Sequence, residues 1–266
     1  MEEKSIAVLK KRLLSKERYD IDDLVDLVTV LRSEEGCPWD KVQTHKTIKK
    51  DFLEEVYEVL EAIDCDSPKM MREELGDVLL QVVFHTVIEQ EQGNFVLEDV
   101  ITELVQKLII RHPHVFGDVK ADSVDKVLYN WDNIKKETKG QESFTETLES
   151  VPKNFPALMR AQKLGKRAAR AGIDFDKAED GSEKALFAYI DAAVQDVRLA
   201  EIKNEGKAES VGRLLFLCAN LARRLEVDAE ESLTDASNAF TARFKQLEEG
   251  DPENISKVLP RELYTY

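Results

Sequence analysis

Residues 53–84 read LEEVYEVLEAIDCDSPKMMREELGDVLLQVVF, and the whole chain can be read outward from them. Glu55 and Glu58 stand three apart, and so do Glu74 and Asp77. In a helix, residues three or four apart share a face, so each acid pair lies on one helical face. Ser67-Pro68 is a helix start, with Ser as the cap and Pro in the first turn. The stretch therefore predicts two helices packed antiparallel, with four carboxylates pointing at one spot. Crowded like charges repel, and burying them is costly unless a cation sits among them. The hairpin is read as a divalent-metal site.

Asp77 carries most of that reading. It sits inside an almost wholly apolar run from Leu75 to Ile88, where Val78, Leu79 and Val82 are expected to be buried. Glu61 and Glu73 suit a solvated face instead. Gly76, beside Asp77, costs roughly 1 kcal/mol against Ala in a helix, which suggests close approach to the backbone there.

Upstream, residues 1–19 are charged and read as a loose arm or surface helix. Asp20 caps a helix whose apolar residues Ile21, Leu24, Val25, Val28 and Leu31 keep helical spacing, ending near Gly36. Cys37-Pro38-Trp39-Asp40 and Gln43-Thr44-His45 form a loop, because Pro38 disfavours helix at Cys37. Trp39 there either stacks on a base or plugs the end of a bundle. The hairpin helices are expected at 47–64 and 67–91. The first has Leu53, Val56, Leu60 and Ile63 as its apolar stripe, and Gly93 ends the second.

Downstream, a helix at 97–111 carries Lys107 and Arg111 one turn apart, followed by His112-Pro113-His114-Val115-Phe116. The two cations either offset the helix dipole or grip phosphates. A helix at 123–139 holds Trp131 and Lys135, again one turn apart. Residues 141–156 hold two prolines and little periodicity, and read as a linker between domains at 1–140 and 157–266. Helical patterns resume at 157–171, 182–203, 207–225 and 229–249.

The composition agrees: of 266 residues, 42% are hydrophobic, with only 11 Gly and 7 Pro. That favours an all-α fold. A formal charge of −15 argues against broad binding to nucleic-acid polymers or anionic membranes. No apolar run reaches the roughly 20 residues of a transmembrane helix. Three cysteines without a C-x-x-C pair suit a reducing cytoplasm.

The two halves form a weak internal repeat. Gly76-Asp77-Val78-Leu79-Leu80 lines up with Gly212-Arg213-Leu214-Leu215-Phe216, and 97–111 with 229–243. In that register Asp77 becomes Arg213, Glu74 becomes Ser210 and Lys107 becomes Ala239. Ala188, Tyr189 and Ala192 take the places of Glu54, Glu55 and Glu58. The second half keeps the apolar pattern and loses the acids, and a cation at position 213 would repel a metal.

All candidate ligands are carboxylate oxygens, which suit Mg²⁺ or Mn²⁺. Zinc and di-iron sites would want His or Cys partners, and His85 alone in an apolar helix is read as structural. No Walker-type loop or nucleophile elbow is present. Carboxylates, a metal and nearby cations suit hydrolysis of a phosphoryl bond by activated water.

E-E-x-x-E followed by E-x-x-D, together with Cys37-Pro38-Trp39-Asp40, Gln43-Thr44 and the run from Arg111 to Phe116, resembles the MazG family of nucleoside triphosphate pyrophosphohydrolases. The resemblance spans essentially the whole chain and implies two tandem helical-bundle repeats, a homodimer and Mg²⁺ dependence. It implies Glu55, Glu58, Glu74 and Asp77 as metal ligands, with Glu54, Glu58 and Lys107 in catalysis. Trp39, Lys107, Arg111, Trp131 and Lys135 match substrate contacts. In some tandem members the C-terminal repeat is the working one. Here that repeat lacks the acids, so hydrolysis of nucleoside triphosphates to monophosphate and pyrophosphate is expected of the N-terminal half. The alternative is a non-catalytic nucleotide-binding or interaction module on the same scaffold.

Overall fold

The amide of Asp23 donates to the Asp20 carboxylate, and the Asp20 amide donates back to Asp23, both at 3.0 Å. This reciprocal cap satisfies two orphan amides and starts a helix where the sequence places it. The computed structural model describes residues 5–118, 143–174 and 185–250, with Ser123, Val127 and Ile134 besides. It divides into two compact units, Met1–Ile134 and Lys135–Tyr266. All regular elements among the described residues are helices, and no helix there is long and apolar enough to cross a membrane.

The first unit contains α1 (Ile6–Leu14), α2 (Ile21–Arg32), α3 (Pro38–Lys41), α4 (Lys49–Asp64), α5 (Pro68–Glu91), α6 (Leu97–Arg111) and α7 (Pro113–Phe116). The charged arm is thus a helix, α1, which buries Leu9 and packs on α2. Asp23 is 1% exposed and accepts from Lys16 Nζ at 2.5 and 2.7 Å. Lys16 lowers its carboxyl below the ordinary value. A buried carboxylate with such partners holds α1 against α2.

The core joins Val28 of α2 and Ile48 to Val83, Phe84, Val87 and Ile88 of α5, with Leu97 opening α6. Only the C-terminal half of α5 is buried. Leu75 and Leu79 are 51% and 42% exposed, which corrects the expectation that Asp77 lies in a buried run. The stripe Leu53, Val56, Leu60 and Ile63 on α4 is exposed as well. The reason is geometric: among the described residues α4 packs chiefly on α5, which leaves the outer face of the hairpin exposed.

The Cys37-Pro38 segment forms the short helix α3 rather than an open loop, with Pro at its start. Gly36 makes the turn into it possible, because a Cβ there would lie 2.2 Å from the Leu31 carbonyl oxygen. Arg32 clamps the segment. Its guanidinium donates to the carbonyls of Asp40 and Gln43 at 2.8 and 3.1 Å, pairs with Glu91 and lies over Phe84. Trp39 remains 58% exposed, so it does not plug its own unit.

The second unit contains α8 (Phe144–Glu149), α9 (Ala157–Arg170), α10 (Ala185–Lys203), α11 (Lys207–Arg224) and α12 (Ala229–Gly250). The segment expected as a linker therefore carries a helix of its own. Ser143 caps α8, and Arg167 of α9 donates to Ser150 Oγ at 2.7 Å and to the Thr147 carbonyl. A local cap escapes a search for apolar periodicity. All but Ser123, Val127 and Ile134 of the helix expected at 123–139 lies outside the described residues.

The α9–α11 crossing is tight. A Cβ on Gly165 would meet Asn220 Oδ1 at 1.7 Å, and Asn220 is fully buried. Gly165→Ala is expected to lower stability by about 1–3 kcal/mol, the usual cost of overpacking. Urea unfolding checks this; an unchanged midpoint would show that Asn220 yields freely.

Candidate active site

The acid hairpin forms because both of its helices start and stop locally. Cys65 and Ser67 donate back to the Glu61 and Ala62 carbonyls at 2.9 and 3.1 Å, Asp66 takes a positive φ of 46°, and Ser67 caps α5. The antiparallel return brings Glu55 and Glu58 of α4 opposite Glu74 of α5. One carboxylate oxygen from each of the three lies within 4.8 Å of the others. Asp77 stands just outside this set, and its negative charge reaches both Glu55 and Glu74.

The electrostatics are those of an anion cluster without its counter-charge. Burial pushes the Glu55 carboxyl above its ordinary value, and the charges of Asp77 and Glu58 push it further. Glu74 is raised by burial and then by Glu58, Glu73 and Asp77. Every cause named for these two shifts raises them, and no basic group is among the causes. Three carboxylate oxygens this close, all hard donors on facing helices, fit a divalent cation such as Mg²⁺ or Mn²⁺.

The other residues singled out in the sequence are distributed differently. Glu54 is exposed and pairs with Lys50 at 3.1 Å, outside the cluster. Lys107 is exposed on α6, where it lines a groove of about 350 Å³ with Phe95, Asp99 and Glu103. Arg111 is half-buried at the end of that helix. Neither of these cations is among the main causes of the shifts of Glu55 or Glu74. Trp131 and Lys135 lie outside the described residues.

Two features escaped the sequence. Gln81 is one turn beyond Asp77 and one turn before His85, so it lies on the α5 face that meets α4. Its Oε1 is buried with no hydrogen-bond partner among the described residues. This leaves an acceptor one turn from the acids. A single Gln in an apolar run gives no periodic signal.

The second is a polar clamp. His45 and His85 stack at 5.0 Å with Nδ1 atoms 2.7 Å apart, and His45 Nε2 meets Glu89 Oε1 at 2.6 Å. Asn94 donates to Glu89 at 2.6 Å. Burial holds His85 below the ordinary histidine value, and the Asn94 and His45 bonds lower Glu89. The clamp ties Gln43-Thr44-His45 to the buried half of α5, which gives His85 a structural task.

Comparisons with known proteins agree with this geometry. Residues 43–116, which span the hairpin, α6 and α7, match the MazG nucleotide pyrophosphohydrolase domain. The chain is 42% identical over 229 residues to the nucleoside triphosphate pyrophosphohydrolase of Escherichia coli K12, covering 86% of this chain and 87% of that protein. It is 43% identical over 228 residues to the nucleoside triphosphate pyrophosphohydrolase/pyrophosphatase MazG of Thermotoga maritima, covering 86% and 85%. With its acid hairpin inside the matched domain and similarity covering 86% of its length, this chain belongs to the MazG nucleotide pyrophosphohydrolase family.

Proposed function

We propose that this protein hydrolyses nucleoside triphosphates to the monophosphate and pyrophosphate, and that the first unit does so. The observation that carries this reading is the cluster of Glu55, Glu58 and Glu74, with Asp77 beside it, inside the region matching the family domain. The second unit has Tyr189, Ala192, Ser210 and Arg213 at the corresponding positions.

The four acids would hold Mg²⁺, with Mn²⁺ as the alternative. That ion supplies polarisation of a phosphate oxygen and a lower pKa for bound water. The protein's own task is to fix the carboxylates on two rigid helices before substrate arrives, so that no reorganisation is needed at the reaction step. Glu58 brings a carboxylate oxygen within 4.8 Å of both Glu55 and Glu74. An ionised Glu58 can accept the proton of an attacking water. Glu54 stands one turn before it and can assist. Lys107 and Arg111, one turn apart on α6, offset phosphate charge. The exposed ring of Trp39 offers a stacking face for the base, with Trp131 and Lys135 as further contacts. The setting is the cytoplasm, where Cys37, Cys65 and Cys218 stay free thiols.

A second copy of the chain completes the assembly. Leu53, Val56 and Leu60 of α4, and Leu104 and Leu108 of α6, are exposed apolar side chains at helical spacing, which favour burial against a partner. Sedimentation should give twice the chain mass of 30.3 kDa; a monomer would overturn the dimer without touching the chemistry.

The activity is tested with a panel of ribo- and deoxyribonucleoside triphosphates, products resolved by chromatography. Pyrophosphate and monophosphate are expected in equal amounts, only with a divalent cation. Orthophosphate as first product, or no turnover of any nucleotide, would overturn the proposal.

A further inference from the structure

The second unit keeps the hairpin and changes what the hairpin encloses. Asp66 and Asn204 take positive φ, 46° and 55°, at the α4–α5 and α10–α11 turns. Gly93 and Glu226 do so, at 74° and 58°, at the turns before α6 and α12. The two units thus share turn geometry at matching points of the repeat. Where the first unit has its acids, the second has a cavity of about 650 Å³. Tyr189, Ala192 and Arg213 line it, the residues standing in for Glu55, Glu58 and Asp77.

We propose that this cavity binds a nucleoside, base and sugar without phosphates, and without a metal ion. The volume suits a small organic ligand. Its lining includes two aromatic residues, Tyr189 and Phe216, and the small residues Gly165, Ala168, Ala192 and Ala193, a mixture that suits a flat heterocycle. The charged groups of the lining are already matched. Arg213 pairs with Asp196 at 3.0 Å and with Glu209 at 3.5 Å, and Asp174 pairs with Arg223. A triphosphate would find no unmatched cation among these groups and no carboxylate set to hold its metal. A neutral base edge, in contrast, can use the acceptor of Asp196 and the remaining donors of Arg213 side by side. The nucleoside class rests on membership of a nucleotide-hydrolysing family, and the cavity does not require the first unit to be active.

The test uses the full chain in EDTA. Adenosine, guanosine, cytidine and thymidine are titrated by calorimetry, with saturation-transfer NMR as a second readout. At least one should bind saturably. Ala192→Trp fills the cavity from an exposed position and should weaken binding at least about tenfold, with helical circular dichroism unchanged. Tyr189→Ala, which only truncates an exposed ring, should weaken it too. Glu58→Gln should leave it unaltered, which separates this site from the acid cluster. The proposal is overturned if none of the four binds saturably, if Ala192→Trp keeps full affinity, or if Glu58→Gln abolishes binding. It is also overturned if Ala192→Trp changes only the sedimenting mass, because a second copy would then cover this face.

Discussion

Glu58→Gln is expected to lower kcat by about 10³-fold, ~4 kcal/mol of transition-state stabilisation, with the helical fold intact. Glu58 is exposed and lies on the surface of the hairpin, so an isosteric amide removes charge without disturbing packing. It is also one of the like charges raising both Glu55 and Glu74. Losing it lets both carboxyls fall back toward ordinary values, so the metal-free variant should melt higher than the wild type. A gain in stability with a loss of turnover is the signature of an anion cluster kept for chemistry. Asp77→Ala should act in the same direction, through a weakened cation site. Full activity in either variant would remove the acids from the mechanism. A lower melting temperature for Glu58→Gln without cation would show that the carboxylates support the fold.

Chelation is expected to have the other large effect. EDTA should abolish turnover, and Mg²⁺ at about 100 times its Kd should restore it while adding ~2.7 kcal/mol of stability. In a chain of this size that is about 2–4 °C in Tm per kcal/mol. The sign of the pH dependence follows from the acids. Because Glu55 and Glu74 sit above the ordinary carboxylate value, the folded metal-free protein holds more protons than the unfolded chain between that value and the raised one. Their penalty is therefore full above the raised value and relieved as pH falls through the window. Protons and cation compete, so the Tm gain from Mg²⁺ should grow as pH rises through the window and vanish below it.

His85 and Glu89 act in the opposite sense, since both lie below their ordinary values and cost stability on acidification. The difference between melting curves with and without Mg²⁺ cancels them and isolates the cluster. A cation gain independent of pH across that range would place the ion elsewhere.

The acid hairpin was legible because its information is local. The i, i+3 spacing of Glu55 with Glu58 and of Glu74 with Asp77, and the helix start at Ser67-Pro68, each act within one turn of chain. The family resemblance rests on the same local strings. The residues around the hairpin were less legible. Periodicity marks Leu53, Val56, Leu75 and Leu79 as apolar but does not say what covers them, and each stays 39–55% exposed. In the sequence the plug is the favoured reading of Trp39, but Arg32 holds its segment while the ring stays exposed.

The sequence by itself determined the long helices, the acid pairs and the loss of those acids in the second half. Helix propensity, capping and charge spacing are set within a few residues. Only the tertiary structure decided that half of α5 is core and half is surface, that Glu54 leaves the cluster for Lys50, and that His45 clamps His85 and Glu89. The same holds for the cavity that Tyr189, Ala192 and Arg213 line in the second unit. Each of these depends on side chains from helices that meet only after folding, and one-dimensional spacing carries no record of which faces meet.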